Sequence, residues 1–310
     1  MKRTLAIVGP TASGKTSFAI ELAKRMNGEV ISLDSRQIYK QMFIGTAQPS
    51  KEEMCGIKHH LIGCFDPSIL ISSGKYSRMV KEKISYIAEQ KKKPIICGGA
   101  GLYYRALEKG IFKDSNTDLG IRKKLEKQYI ENPKILYEML QSIDTEYSKI
   151  VHINNRQRLI RALEIYELTG KIPSEHFQNQ KLYKQDTIKL YTVYLKWKRQ
   201  IINKRIEERT KIMFEQGWIN EVESLLALQK IKNIKFPPLD SIGYKHIQAY
   251  LNGEINRKNM FEKIVFSTRQ LARRQEKWFK KETVDLYIEM EYLDIKKSCE
   301  ILHCILDELI

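Results

Sequence analysis

The chain is short of the features that mark secreted or membrane proteins. It has five cysteines in 310 residues: Cys55, Cys64, Cys97, Cys299 and Cys304. Their number is odd and none falls in a Cys-x-x-Cys pair, so neither a disulfide framework nor a zinc knuckle is indicated. No apolar run approaches the ~20 residues of a spanning helix, and the mean hydropathy is −0.43. Lys2-Arg3 and the apolar stretch Leu5–Val8 imitate a secretory signal, but Gly9-Pro10 breaks it short of the roughly 7–15 residues of an h-region. A cytoplasmic protein without a membrane partner is expected. Negative charge is scarce as well: Lys and Arg number 54 against 37 Asp and Glu, a formal charge of +17. That excess favours a polyanionic partner, nucleic acid ahead of an anionic membrane. Hydrophobic residues at 42% and aromatics at 9% suffice for a sizeable core. The length suggests two domains, or one with a large insertion.

Strand and helix patterns alternate over the first hundred residues. Thr4–Val8, Glu29–Leu33 and Pro94–Cys97 are short apolar runs. Ser17–Met26 has apolar residues at helical spacing, and Leu102–Lys109 reads as a helix after Gly98-Gly99. Buried strands alternating with helices predict a parallel sheet covered on both faces. From about Lys113 to Thr187 the strand pattern vanishes. Ile121–Ile130, Asn132–Ser142 and Arg156–Thr169 read as helices there, and Lys113–Gly170 is nearly neutral, with 10 basic and 9 acidic residues. Ile188–Trp197 returns to a β pattern, basic helices follow, and Val284–Ile288 is a last strand-like piece. The expected fold class is α/β: a P-loop-type parallel sheet flanked by helices, with an inserted helical domain. The core is expected over 1–112 plus 188–310, and the insertion over 113–187.

Gly9, Pro10, Thr11, Ala12, Ser13, Gly14, Lys15 and Thr16 fit G-x-x-x-x-G-K-[ST], with an apolar strand before and an amphipathic helix after. The glycines let successive N–H groups turn toward one anion, and the helix N-terminus adds its dipole. Lys15 brings a mobile charge, and the Thr16 hydroxyl is a candidate Mg²⁺ ligand. Most such loops bind a nucleoside triphosphate, so the residues alone leave ATP open. A triphosphatase also wants a carboxylate at a neighbouring strand end. Pro94–Cys97 runs into Gly98-Gly99 instead, whereas Glu29–Leu33 ends in Asp34, so a small-metabolite kinase stays open.

Asp34-Ser35-Arg36-Gln37-Ile38-Tyr39 follows that second strand, whose C-terminal end should face the ligand crevice. Asp34 is either a helix N-cap or part of a set of groups that can grip a base. With GPTASGKT (9–16) and DSRQIYK (34–40), the motifs GTAQPS (45–50), HHLI (59–62) and GGAGLYYRAL (98–107) form an ordered series. NRQRLIRALEIYELTGK (155–171), RIEERTKIMFEQGWINEV (205–222), IGYKHIQAYLNGE (242–254) and STRQLARRQEKWFKK (267–281) continue it. In these motifs the chain resembles the tRNA dimethylallyltransferases (isopentenylpyrophosphate–tRNA transferases). The resemblance spans about nine-tenths of the chain. It departs at Ala100, where the family usually has Thr, at Gln48 (usually Lys) and at Asn154-Asn155 (usually Asn-Asp). Ala100 lacks a hydroxyl expected near the substrate adenosine.

The resemblance implies that the loop holds the diphosphate of dimethylallyl diphosphate. It also implies that the allyl group goes to N6 of the adenosine just 3′ of the tRNA anticodon, in a monomeric enzyme using Mg²⁺. It places Asp34, Ser35, Arg36, Gln37, Ala100, Arg122, Gln157, Arg158 and Arg161 against tRNA. Asp34 is the expected general base, with Lys15 and Thr16 acting on the leaving group. Gln37 has an amide suited to an adenine edge. Arg205 and Arg209 share a helix face, either reaching the diphosphate or forming a solvated basic face. Arg158 and Arg161 suit backbone phosphates, or pair with acids such as Glu164. Residues 257–281 hold 9 basic and 2 acidic residues. Positions 261, 264, 265, 268, 271, 272, 275, 278 and 279 are expected to face the core, with Arg269, Arg273 and Lys277 presenting cations to tRNA. The remaining alternatives are the kinase, a prenyltransferase of free adenine nucleotides, and a non-enzymic RNA-binding module.

Overall fold

The structure, a computed structural model, describes residues 3–110, 118–182, 187–292 and 294–307. The chain opens with β1 (Thr4–Val8), α1 (Lys15–Arg25), β2 (Gly28–Leu33), α2 (Lys51–Met54), β3 (His59–His60), α3 (Ser73–Glu89), β4 (Lys93–Gly98) and α4 (Gly101–Glu108). A wholly helical stretch follows: α5 (Leu119–Glu131), α6 (Pro133–Ile143), α7 (Thr145–Ser148), α8 (Arg156–Thr169) and α9 (Pro173–Leu182). The chain then continues through β5 (Leu190–Lys196), α10 (Arg199–Glu215), α11 (Trp218–Lys232), α12 (Tyr244–Leu251), α13 (Arg257–Phe279), β6 (Leu286–Glu289) and α14 (Ile295–Asp307). Two compact units result, one of residues Met1–Lys109 with Thr187–Ile310, the other Gly110–Asp186. The insertion expected over 113–187 includes 113–117 and 183–186, which lie outside the described residues.

The first unit holds one six-stranded sheet in the order β3-β2-β4-β1-β5-β6, every pair parallel. All residues of β1 and β2 are buried, because helices cover both faces and leave no face for a polar alternation. Leu5, Ile7, Val30 and Ile95 pack with Phe18 and Leu22 of α1 and with Cys299 and Leu302 of α14. The opposite face puts Ala6, Val8, Ile31 and Leu33 against Tyr76, Val80, Tyr104 and Phe279. Among the described residues no helix is long and apolar enough to cross a membrane.

The sequence patterns locate all the strands except β3, whose two residues are too few to show a period. They also pass over α3, although Tyr76, Val80 and Ile87 on it are buried at helical spacing. On α13 the buried row begins at Met260 and not at the expected Phe261.

β3 and β2 carry a buried ionic group. Glu29 is 2% exposed; it bonds His60 Nε2 at 2.6 Å and Lys92 Nζ at 2.6 Å. Burial alone would raise the Glu29 carboxyl, but Lys92 and His60 together hold it below its ordinary value. Burial lowers His60, against the pull of Glu29. Both groups therefore bind fewer protons folded than unfolded. Their contribution is complete above about pH 6.5 and is lost as pH falls through each folded value. The melting temperature should drop between about pH 6.5 and 4, and His60→Gln, which removes the titrating imidazole, should flatten that slope. A slope unchanged in His60→Gln would remove this triad as its source.

The second unit stands on its own core of Leu125, Leu136, Leu140, Val151, Leu159 and Leu163. Asp118, Asn132, Asp144 and Asn155 cap its helices through side-chain oxygens. Asn155, where the resembling family usually has Asp, can cap as well as Asp does.

Candidate active site

The phosphate-type loop leaves the C-terminal end of β1, the central position of the first unit's sheet. Gly14 is the N-cap of α1 with φ +83°, a left-handed conformation that glycine adopts without steric cost. Two arginines of α10 grip the loop from outside. Arg205 Nε donates to the Ala12 carbonyl at 2.8 Å and Arg209 Nη2 to Thr11 Oγ1 at 2.8 Å. Arg205 also lies 4.8 Å over the Trp197 ring, and that indole donates to the Ser13 carbonyl at 2.9 Å. Lys15 folds back so that Nζ donates to the Pro10 carbonyl at 2.6 Å. Arg205 and Arg209 thus do not form a solvated face: each bonds the loop.

These cations share a partly closed space. Burial, reinforced by Arg209, pulls Lys15 down to about 8, against the raising influence of nearby Cys97 and Asp34. Arg209 is lowered to about 10 by the same burial and by Arg205, while Asp34 works the other way. Its Nε is buried without a hydrogen-bond partner among the described residues. Three cations converging on a loop of backbone donors make a site for a multiply charged anion. The surrounding cavity measures about 780 Å³ and is lined by Thr11–Ser17, Asp34–Gln37, Arg205, Arg209 and Gln275, among others.

Asp34 follows β2, two strand spacings from β1, or about 10 Å across the sheet end. β4 lies between them and ends in Gly98-Gly99. A Cβ at Gly98 would sit 2.1 Å from the Leu33 carbonyl oxygen, and one at Gly99 would sit 2.4 Å from Gln275 Nε2. The strand end nearest the loop therefore has no room for a carboxylate; Asp34, after the neighbouring strand, lines the cavity, as do Glu53, Glu208 and Asp240. Asp34 Oδ1 accepts from Arg36 N at 2.7 Å and from Gln37 N at 3.2 Å. No helix follows, so Asp34 caps a turn with one oxygen and lines the cavity. Cys97, at the end of β4, is a core thiol that burial pushes up to about 12. His59 and His60 form β3, where His60 bonds Glu29.

Gln275 is a site residue that the sequence motifs do not single out, although it and Thr268 are the two polar members of the core-facing row of α13. Its Oε1 accepts from Thr11 N at 2.8 Å and its Nε2 donates to the Gly99 carbonyl at 3.0 Å. One side chain thus ties the loop to the β4 turn. Gly99→Ala should displace Gln275 and weaken binding of inorganic diphosphate by about tenfold, the order of one or two lost hydrogen bonds. Gln275→Ala should reproduce that loss in a calorimetric titration. Unchanged affinity in both variants would leave the tie without a role in binding.

Several expected nucleic-acid contacts have other partners. The Gln37 amide does not face the cavity as a free adenine reader: Nε2 donates to the Thr46 and Ala47 carbonyls, and Oε1 accepts from Ser32 Oγ. Tyr39 is buried in the core. Arg161 bonds Glu164 at 2.7 Å, the pairing its i,i+3 spacing permits. Arg269 is half-buried and bonds Glu207 of α10 at 3.0 Å. Arg273 is also half-buried, so these two do not form an open cationic row; between them and the end of α13, Arg274 and Lys277 are exposed. Ser35 and Arg36 lie at the cavity, Arg36 exposed, and Ala100 is the N-cap of α4. In the second unit, Gln157 and Arg158 are exposed on α8, and Arg122 on α5 lies 3.7 Å from Glu126.

Comparison with known proteins gives concordant matches. A family model described as IPP transferase matches residues 37–282. A tRNA dimethylallyltransferase of Petrotoga mobilis is 37% identical over 281 residues, 91% of each chain. One of Caldanaerobacter subterraneus is 42% identical, covering 88% of this chain and 87% of its own. The crystal structure of the tRNA isopentenylpyrophosphate transferase of Bacillus halodurans superposes with a TM-score of 0.71 at 33% identity, covering 99% of this chain and 98% of that one. A eukaryotic dimethylallyltransferase acting on tRNA gives 0.83 at 28% identity, covering all of this chain and 81% of that one.

Proposed function

The chain belongs to the IPP transferase family, and from that premise we propose that it transfers a dimethylallyl group from dimethylallyl diphosphate to N6 of the tRNA adenosine 3′-adjacent to the anticodon. The observation that carries this reading is the pairing of a three-cation phosphate loop with one carboxylate about 10 Å away across the sheet. That spacing leaves room for the allyl group between the departing diphosphate and the amine that receives it.

The exocyclic amine is a poor nucleophile because its lone pair is delocalised into the ring. Charge builds on the allyl carbon as the diphosphate departs. Lys15, Arg205, Arg209 and the loop amides oppose the negative charge that grows on the leaving group. Asp34 takes the amine proton through the oxygen not engaged with the turn. Among the described residues no three His, Cys, Asp or Glu side chains gather as a metal cage. That suits Mg²⁺, which binds through one or two protein oxygens, substrate phosphate and water. Thr16, with Asp34 on the same cavity, is the residue that would hold it, and the ion would neutralise the diphosphate. The adenosine reaches the cavity by leaving its stack, as bases do in other base-modifying enzymes. Ser35, Arg36, Ala100, Arg122, Gln157 and Arg158 are assigned to tRNA, with Arg274 and Lys277 added from α13; Arg161 stays with Glu164. The enzyme acts as a cytoplasmic monomer.

The test is to incubate the protein with dimethylallyl diphosphate, Mg²⁺ and unmodified tRNA, then digest the RNA and look for N6-prenyladenosine. ATP that binds as tightly and is turned over would return the kinase reading. The charge of +17 further predicts tRNA binding that weakens steeply with salt. Deleting Arg274 or Lys277 should flatten the log–log slope by about 0.7–0.9 each. Deleting Arg269, already paired with Glu207, should change it less. A parent slope near zero would oppose the tRNA assignment.

A further inference from the structure

Asp34 lies where the sheet runs out of partners. β3 supplies only His59 and His60, opposite Val30 and Ile31. Alternate residues of a strand turn their backbone groups to the same neighbour. Val30 N–H bonds the Lys58 carbonyl on the β3 side, so the backbone groups of Ser32 and Asp34 face that side too, beyond the end of β3. Leu33 faces the other way, and its carbonyl accepts from Ala100 N at 3.2 Å. Buried backbone groups left unpaired are costly. Tyr76 of α3 closes the gap. Its hydroxyl donates to the Ser32 carbonyl at 2.5 Å, and the Tyr76 Oη itself accepts from the Asp34 N–H at 3.4 Å. The side chain is fully buried and stacks on Tyr103 of α4, with ring centroids 4.2 Å apart and planes at 25°. Tyr103 in turn donates to the Ile71 carbonyl at 3.3 Å.

We propose that Tyr76 is a positioning residue for the carboxylate of Asp34, a single hydroxyl standing in for the strand that β3 does not extend far enough to provide. The inference rests on the reading of Asp34 as proton acceptor. Burial, with the nearby Asp34 charge, holds the phenol well above its ordinary value. The hydroxyl therefore keeps its proton and stays a donor to Ser32 at any working pH. With the β2 end fixed on one side by Ala100 and on the other by Tyr76, the turn at 34–37 starts from a defined point. A loosened start moves the carboxylate relative to the amine, and displacements of about 1 Å cost on the order of 10²-fold in rate.

The test uses Tyr76→Phe, which keeps the stacked ring and removes only the hydroxyl. Single-turnover transfer rate, affinity for dimethylallyl diphosphate and melting temperature are measured for the parent, Tyr76→Phe, Asp34→Asn and the double variant, with rates taken well below each melting point. Tyr76→Phe should slow transfer by about 10–100-fold with affinity changed less than about twofold. In the Asp34→Asn background the same change should cost less than about twofold more, because there is no basic oxygen left to position. A full multiplicative loss in the double variant, or a parent rate in Tyr76→Phe, overturns the inference. Tyr103→Phe removes the other hydroxyl of the stacked pair and should keep the parent rate; an equal loss there would mean general loosening of the pair and not positioning. Asp34→Asn with parent turnover would instead remove Asp34 as base, and this inference with it.

Discussion

Asp34→Asn is expected to lower the single-turnover rate of prenyl transfer by about 10²–10⁴-fold, equivalent to about 3–5 kcal/mol of barrier. The substitution keeps the shape of the side chain and an oxygen able to accept from Arg36 N and Gln37 N. Asn serves such turns and caps about as well as Asp, so the melting temperature should barely move. Affinity for dimethylallyl diphosphate should also hold, since Lys15, Arg205, Arg209 and the loop amides carry it. What the variant loses is the basic oxygen alone. Rate and melting temperature are thus the pair to compare. Near-parent turnover with an unchanged melting point would reduce Asp34 to a turn residue.

Lys15→Met should weaken binding of dimethylallyl diphosphate by about 30-fold or more, from the about 2–5 kcal/mol typical of truncating one partner of a buried charge pair. The methionine keeps most of the stem, so packing against the loop changes little. The parent should also show a pH break that the variant lacks. Lys15 in the free protein is pulled down to about 8 by burial and Arg209, and a bound anion favours its charged form. Below pH 8 the lysine is already charged and affinity is flat in this respect. Above pH 8 binding must take up a proton, so affinity should fall toward tenfold per pH unit. Calorimetry in buffers of different ionisation enthalpy reads that proton directly. No uptake at pH 9 would mean that Lys15 is not the phosphate ligand.

The sequence exposed those parts of the site that are local. The loop at 9–16 and the carboxylate after β2 can be read because a strand, a turn and a helix start are contiguous in the chain. The helices of the second unit are legible for the same reason, each with its own cap and period. What stayed hidden depends on distant partners. Gln275 meets Thr11 across 264 positions and Arg269 meets Glu207 across 62; no periodicity marks either pairing. Gln37 looked like a free amide because nothing in DSRQIYK says that the Thr46 and Ala47 carbonyls will return beside it. Tyr76 was invisible as a site residue for a related reason. Its partner is a backbone carbonyl left over by a strand only two residues long. Its own helix was hidden by a first turn holding Ser73 and Gly74, weak helix formers.

The placement of β1 also bears on how the chain is made. β1 pairs on one side with β4 and on the other with β5, whose first paired residue is Leu190. During synthesis at about 5–20 residues per second, β5 leaves the ribosome roughly 10–40 s after β1. For that interval the growing sheet ends at β1 with an open, apolar edge of the kind that recruits other chains. The interval is not idle, because residues 110–186 emerge within it and bring a separate core around Leu125 and Leu163. Nascent chains stalled near residue 185 should therefore be bound by chaperones or aggregate at the β1 edge. Those released beyond β6 should not.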